Sequence, residues 1–119
     1  MVEHIFRGQI NASGKAVGFH YEGISDTFGS ITKILKAPNA QGVYEAEVVL
    51  NGIAKKIPST FFPKAWTPAQ VLEAIEEAYK SRQLVSNMKP LYEGISKAGV
   101  VIRMYIENGI ITSAYPIMR

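Results

Sequence analysis

His4 and His20 are the only two histidines in the chain. Histidine is the side chain that can give and take a proton near neutral pH, so two of them held in one cleft can act as general acid and general base. Cleavage of a phosphodiester by a neighbouring ribose hydroxyl needs those two transfers. A base removes the 2′-OH proton, an acid protonates the leaving 5′ oxygen, and no cofactor takes part. A cation beside the phosphate would stabilise the charge that grows on its non-bridging oxygens. Lys55 and Lys56, then Lys64, are the candidates for that cation. In an extended segment Lys55 and Lys56 point to opposite faces, so only one can join the site. The competing account is two unrelated histidines, one near a frayed terminus, and two lysines on a solvated strand edge.

A second set lies near the C-terminal end. Ser113 and Tyr115 are two positions apart on an expected strand, which sets them on one face roughly 7 Å apart. A hydroxyl beside an aromatic ring can hold a nucleobase: one bonds its edge, the other stacks on it or supports the ribose. Thr112 points to the opposite face and is the weaker candidate. Ser59 and Thr60 follow the lysines and offer further hydroxyls. A half-buried strand with a core tyrosine would account for Ser113 and Tyr115 equally well.

Composition narrows the classes. At 119 residues the chain is expected to form a single domain, residues 1–119, with a core of its own. Apolar residues at 47% against 19% charged argue against disorder. No apolar run is long enough to span a membrane. Met1-Val2-Glu3-His4 has neither the charged nor the apolar region of a signal peptide, so none is expected. Cysteine is absent, which excludes disulfides, thiolate nucleophiles and cysteine-based zinc sites; two histidines exclude a histidine-rich metal cage. The net charge of +3 permits an anionic partner without demanding one.

The elements that must position these residues read as α+β. The glycine-punctuated opening suggests short extended pieces at Ile5-Phe6-Arg7 and Ala16-Val17-Gly18-Phe19, with a turn over Asn11 to Gly14 between them. Residues 30–36 are ambiguous: Phe28, Ile31 and Ile34/Leu35 fit a helical spacing, but the loop and strand that follow favour a hairpin. Val43 to Leu50 alternates as a strand, and Asn51-Gly52 turns it into a return strand from Ile53 through Lys55, Lys56 and Ile57. Thr67, Pro68 and Gln70 open a helix over 67–81, with Val71, Leu72, Ile75, Ala78 and Tyr79 as its apolar stripe. Residues 87–99 read as a loop. Val100 to Ile106 then pairs with Ile110 to Tyr115 across Asn108-Gly109, and Pro116 is expected to end the ladder.

Taken together, Glu3-His4-Ile5-Phe6-Arg7-Gly8 and Gly18-Phe19-His20 resemble the paired histidine motifs of the EndoU endoribonuclease superfamily. Thr112-Ser113-Ala114-Tyr115-Pro116 resembles that family's C-terminal hydroxyl-x-Tyr element. Residues 42–46 and 59–66 look like its bacterial branch, whose members are often C-terminal toxin domains in contact-dependent inhibition and other polymorphic toxin systems. The resemblance runs from His4 to Tyr115. It implies two antiparallel β-sheets with flanking helices, the EndoU (RNase A-like) catalytic fold. The activity it implies is cleavage of single-stranded RNA, tRNA included, near uridine, leaving a 2′,3′-cyclic phosphate. DNA, lacking the 2′-OH, is not an expected substrate.

The resemblance maps the two catalytic histidines to His4 and His20, with His20 taken as base and His4 as acid. The catalytic lysine maps to Lys56 or Lys55, with Lys56 preferred. Ser113 and Tyr115 complete the catalytic set; Ser59, Thr60 and Thr112 are candidates for substrate binding. Some relatives need manganese and others do not; no dedicated ligand set is visible here, so activity without a tightly bound metal is expected. The implied setting is an exported bacterial toxin domain acting in the target-cell cytoplasm, restrained by a cognate immunity protein. The competing function is a non-catalytic RNA-binding module on the same fold, with Phe19, Tyr21 and Tyr115 as stacking surfaces.

Overall fold

The computed structural model describes residues 2–24, 27, 29–88 and 90–119, with Glu3 described through its backbone alone. Met1 and Phe28, the latter part of the helical spacing considered above, lie outside the described residues. Chain order is α1 (Val2–Phe6), β1 (Gln9–Ile10), β2 (Ala16–Val17), β3 (Gly29–Lys36), β4 (Tyr44–Leu50), β5 (Ile53–Ala54), β6 (Ser59–Phe61), α2 (Pro68–Lys80), β7 (Gln83–Ser86), β8 (Leu91–Ile95), β9 (Val101–Glu107) and β10 (Ile110–Ile117). The fold is α+β with antiparallel sheets. β1 and β2 form a small ribbon; β3, β4 and β5 form an N-terminal sheet in which β6 also pairs with β4; β10, β9, β8 and β7 form a C-terminal sheet in that order.

The strongest local signals become the best-formed elements. On β4, Tyr44, Ala46, Val48 and Leu50 are buried. Asn51 and Gly52 both take positive φ, as do Asn108 and Gly109, so each pair makes the two-residue turn its sequence announces. The Thr67 hydroxyl accepts from the Gln70 N–H while the Gln70 side chain accepts from the Thr67 N–H, closing the capping box of α2. Val71, Ala74, Ile75 and Ala78 form the buried face of α2; Leu72 stays exposed and Tyr79 half-buried.

Other segments differ from the sequence expectation. Residues 2–6 are a short helix where Ile5-Phe6-Arg7 read as extended. Residues 30–36 are strand, as the hairpin argument favoured. The segment read as a loop holds β8, preceded by the equally unanticipated β7. Pro116 does not end the ladder: β10 continues through Pro116, opposite Ile102. β10 is an edge strand, where a missing N–H costs no ladder bond.

Two apolar clusters result. One fills the space between α2 and the C-terminal sheet, with Val71, Ile75, Ile102 and Met104 at its centre. The other lies under β4 and β6, around Phe19, Leu50 and Phe61. The segment 18–21 runs between them, with the Phe19 N–H donating to the His4 carbonyl and the His20 N–H to that of Ile5. No helix among the described residues is long and apolar enough to cross a membrane.

Candidate active site

The seam between the two sheets gathers most of the residues singled out by chemistry. His4 sits in the last turn of α1 and lies half-buried, its Nδ1 3.4 Å from Gln9 Oε1. His20 is buried and held at three points. Its N–H donates to Ile5, its carbonyl accepts from the Phe62 N–H, and its ring Nδ1 lies 2.7 Å from the Thr60 carbonyl oxygen. A carbonyl can only accept, so Nδ1 carries the proton in that bond and Nε2 keeps its lone pair. The His4 and His20 ring centroids are 6.1 Å apart, and the His20 ring also stacks on Tyr115 at 5.7 Å. His20 is thus the middle of three neighbouring rings.

Lys55, not Lys56, joins them. The strand β5 stops at Ala54, so the alternation that made the two lysines equivalent ends before it reaches them. The Lys55 N–H donates to the Val48 carbonyl, and its Nζ donates to Ser59 Oγ at 2.7 Å and to the Gly18 carbonyl at 3.1 Å. Lys56 is exposed, and Lys64 lines a separate cavity beside Glu22 and Tyr44.

Gly18 permits this convergence. Its φ is +80°, and a Cβ there would lie 2.2 Å from the His4 carbonyl oxygen. Only glycine lets the 18–20 segment lie this close to α1. Phe19 next to it also has positive φ, at +66°, a conformation held by its burial against Phe61.

The electrostatics follow from burial. Desolvation, aided by the charge of Lys55, pulls His20 down to about 3 against the opposing bond to Thr60. Desolvation also lowers His4, opposed by Gln9 and reinforced by Lys55. Burial alone brings Lys55 down to about 8. At neutral pH His20 is therefore uncharged, with a free lone pair beside a cation. An anion entering the seam would favour the protonated form of each of these groups.

The hydroxyls of Ser59, Thr60 and Thr112 are engaged elsewhere than expected. Ser59 is fully buried and donates to the Gly18 carbonyl, so it supports Lys55 and is closed to substrate. Thr60 donates to the Pro116 carbonyl at 2.5 Å, tying β6 to β10. Thr112 is exposed, its hydroxyl 3.3 Å from the Tyr105 carbonyl. Ser113 is half-buried on the same face as Tyr115, across from Tyr105. Phe19 and Tyr21 belong to the core and offer no stacking surface. Sequence reasoning missed Arg103 and Tyr105, which flank Tyr115. Burial and Tyr105 raise the Tyr115 phenol, and Arg103 works against them. The Asn108-Gly109 hairpin was the one signal that could have found these two residues.

Comparison with known proteins gives a family match and one close relative. Residues 1–118 match a family described as bacterial EndoU nuclease. The chain is 41% identical over 120 aligned positions to a Bacillus cereus protein named Toxin, a match that covers 97% of this chain and 22% of that protein. The chain thus spans about a fifth of the length of the relative it matches. No solved structure matches.

Proposed function

The chain belongs to the bacterial EndoU nuclease family, and from that premise we propose that it is an endoribonuclease cutting single-stranded RNA, tRNA included, near uridine. One observation carries the reading: His4, His20, Lys55 and Tyr115 come together where the two sheets meet. His20 Nε2 takes the 2′-OH proton, its ring held by the Thr60 carbonyl. The 2′ oxygen attacks the adjacent phosphorus. The P–O5′ bond breaks, His4 gives its proton to the leaving oxygen, and a 2′,3′-cyclic phosphate remains. Lys55 stabilises the charge on the non-bridging oxygens. Ser113 and Tyr115 hold the base. Two imidazoles make both proton transfers and an ammonium stabilises the charge, so cleavage does not require a tightly bound metal.

We read the biological role as that of a toxin domain exported by a bacterium and acting in the cytoplasm of a target cell, with a neutralising immunity protein as partner. The support is the relative named Toxin, which is much longer than this chain.

The test is a cleavage gel. Purified protein, with and without EDTA, is incubated with a single-stranded RNA and with copies carrying one 2′-deoxy substitution at each uridine. Cuts at uridines are expected, absent at the deoxy positions and unaffected by EDTA. His4→Ala and His20→Ala should each slow cleavage by about 10²- to 10⁴-fold. Equal cutting by His20→Ala rejects the histidine mechanism. Loss of cutting in EDTA with recovery on adding manganese rejects the metal-free one.

A further inference from the structure

We propose that the cavity between the 37–42 loop and Pro63 binds a guanine of the RNA strand, with Glu22 on the base edge and Lys64 on its phosphate. This rests on the endoribonuclease reading and adds a base-specific site to it.

The cavity has a volume of about 390 Å³, within the range of ligand sites, and Ile34, Pro38, Tyr44 and Pro63 are among its walls. Ile34 and Pro38 are exposed, so part of that apolar lining is uncovered. The loop that forms one wall is held in place by its own bonds. Asn39 Oδ1 accepts from the N–H groups of Gln41 and Val43, each at 3.0 Å, and the Gly42 N–H donates to the Asn39 carbonyl. Gly42 has φ +90°, and a Cβ there would lie 3.0 Å from Pro63 Cβ. Glycine thus lets the loop close on Pro63.

Glu22 supplies the polar recognition. It is half-buried, and its Oε1 accepts from the Tyr44 hydroxyl. Burial, reinforced by Glu22, raises the Tyr44 phenol, so it stays a donor and fixes the carboxylate. No salt bridge among the described residues involves Glu22. A carboxylate has about four lone-pair sites, so acceptor capacity remains beyond the Tyr44 bond. The partner must therefore present donors. Guanine offers two adjacent ones, N1–H and the 2-amino group. Adenine and cytosine set an acceptor beside their amino group, and uracil flanks its single N–H with carbonyls. An arginine side chain offers paired donors too. Lys64 on the same cavity disfavours a second cation and suits the phosphate that a nucleotide carries.

The backbone ties this cavity to the catalytic seam. Glu22 follows His20 by two residues, so their Cα atoms are at most about 7 Å apart. Pro63 directly follows Phe62, whose N–H donates to the His20 carbonyl. One RNA strand can reach both places.

The test uses short RNAs with one uridine among adenosines and one guanosine placed one to three positions to its 5′ or 3′ side. The wild type is expected to gain about 5- to 150-fold in kcat/KM at one placement, the worth of one paired base edge. Inosine there, lacking the 2-amino group, should lose most of the gain. Glu22→Gln, whose carboxamide oxygen can still accept from Tyr44, should erase the preference for guanosine over adenosine. Binding is read separately by calorimetry with guanosine 5′-monophosphate, inosine 5′-monophosphate and N-acetylarginine amide. The guanosine nucleotide should bind tightest, lose that advantage in Glu22→Gln and weaken in Lys64→Ala. Equal cleavage at every placement overturns the site, as does a guanosine preference that survives Glu22→Gln. Glu22-dependent binding of the arginine probe, without that of the guanosine nucleotide, overturns it too and assigns the cavity to a protein side chain. If no RNA is cut, the endoribonuclease reading fails, and the calorimetry alone decides the guanine site.

Discussion

Lys55 and Lys56 show how much one residue's placement can decide. They are chemically identical, and a strand drawn through both gives no reason to choose. Lys55 is selected because Ser59 Oγ and the Gly18 carbonyl, both withdrawn from solvent, need a donor where its ammonium arrives. Under the proposed mechanism, Lys55→Ala should lower kcat by about 10²- to 10³-fold, the usual loss for one oxyanion donor, whereas Lys56→Ala should change it little. Ser59 acts through Lys55. It accepts a bond from the ammonium and so favours the charged form. Ser59→Ala should pull Lys55 further below about 8, and the alkaline limb of the kcat profile should move to lower pH. An unmoved limb with lowered activity would mean that Ser59 serves packing alone.

At the scale of elements, the decisive feature is one extra residue in β10. Ile110 pairs with Glu107 and Ile111 with Ile106, but Ser113 pairs with Tyr105 and Tyr115 with Arg103. Thr112 is the additional residue of a β-bulge. In an unbroken hairpin from Asn108-Gly109, Thr112 and Ala114 would share the face of Arg103 and Tyr105, and Tyr115 would point into the core under α2. The bulge reverses this: Ala114 is buried, and Ser113 and Tyr115 reach the seam. Deleting Thr112 should regularise the ladder with the Ser113–Tyr105 and Tyr115–Arg103 pairs intact. The protein should stay folded and cut RNA within a few-fold of wild type, as read by circular dichroism and the cleavage gel. Loss of activity in a folded deletion would contradict this account of the bulge. Register shifts recur on β3 and β7, at other sheet edges, where a bulge discourages pairing with a second chain.

At the scale of the whole molecule, the site is also the joint between the sheets. Thr60 reaches Pro116, His20 stacks on Tyr115, and Phe62 donates to His20, so the candidate site and the packing of the sheets share the same bonds. Acid should therefore loosen the molecule through its site. His20 titrates at about 3 folded against 6.5 unfolded, so between those values the unfolded chain holds more protons. Its stabilising contribution is complete above pH 6.5 and falls as the pH drops toward 3. Urea midpoints should decline from pH 6.5 to 5, where most carboxylates are still ionised, and His20→Gln should flatten that decline. Lys55, lowered to about 8, acts at the other end: the folded state sheds its proton first, and stability rises from pH 8 toward 10.5.

By itself the sequence determined what local rules govern. The capped helix, the Asn-Gly turns and the alternation of β4 follow from neighbours a few positions apart. The family resemblance was legible in the order of its motifs. Tertiary structure alone decided which lysine joins the histidines, which way Tyr115 faces, and that Ser59 is buried against Lys55. It also supplied β7, β8 and the cavity beside Glu22. Each of these depends on burial or on a one-residue slip between strands. Both are set by chain segments far apart in sequence, through desolvation and side-chain parity that no local pattern contains.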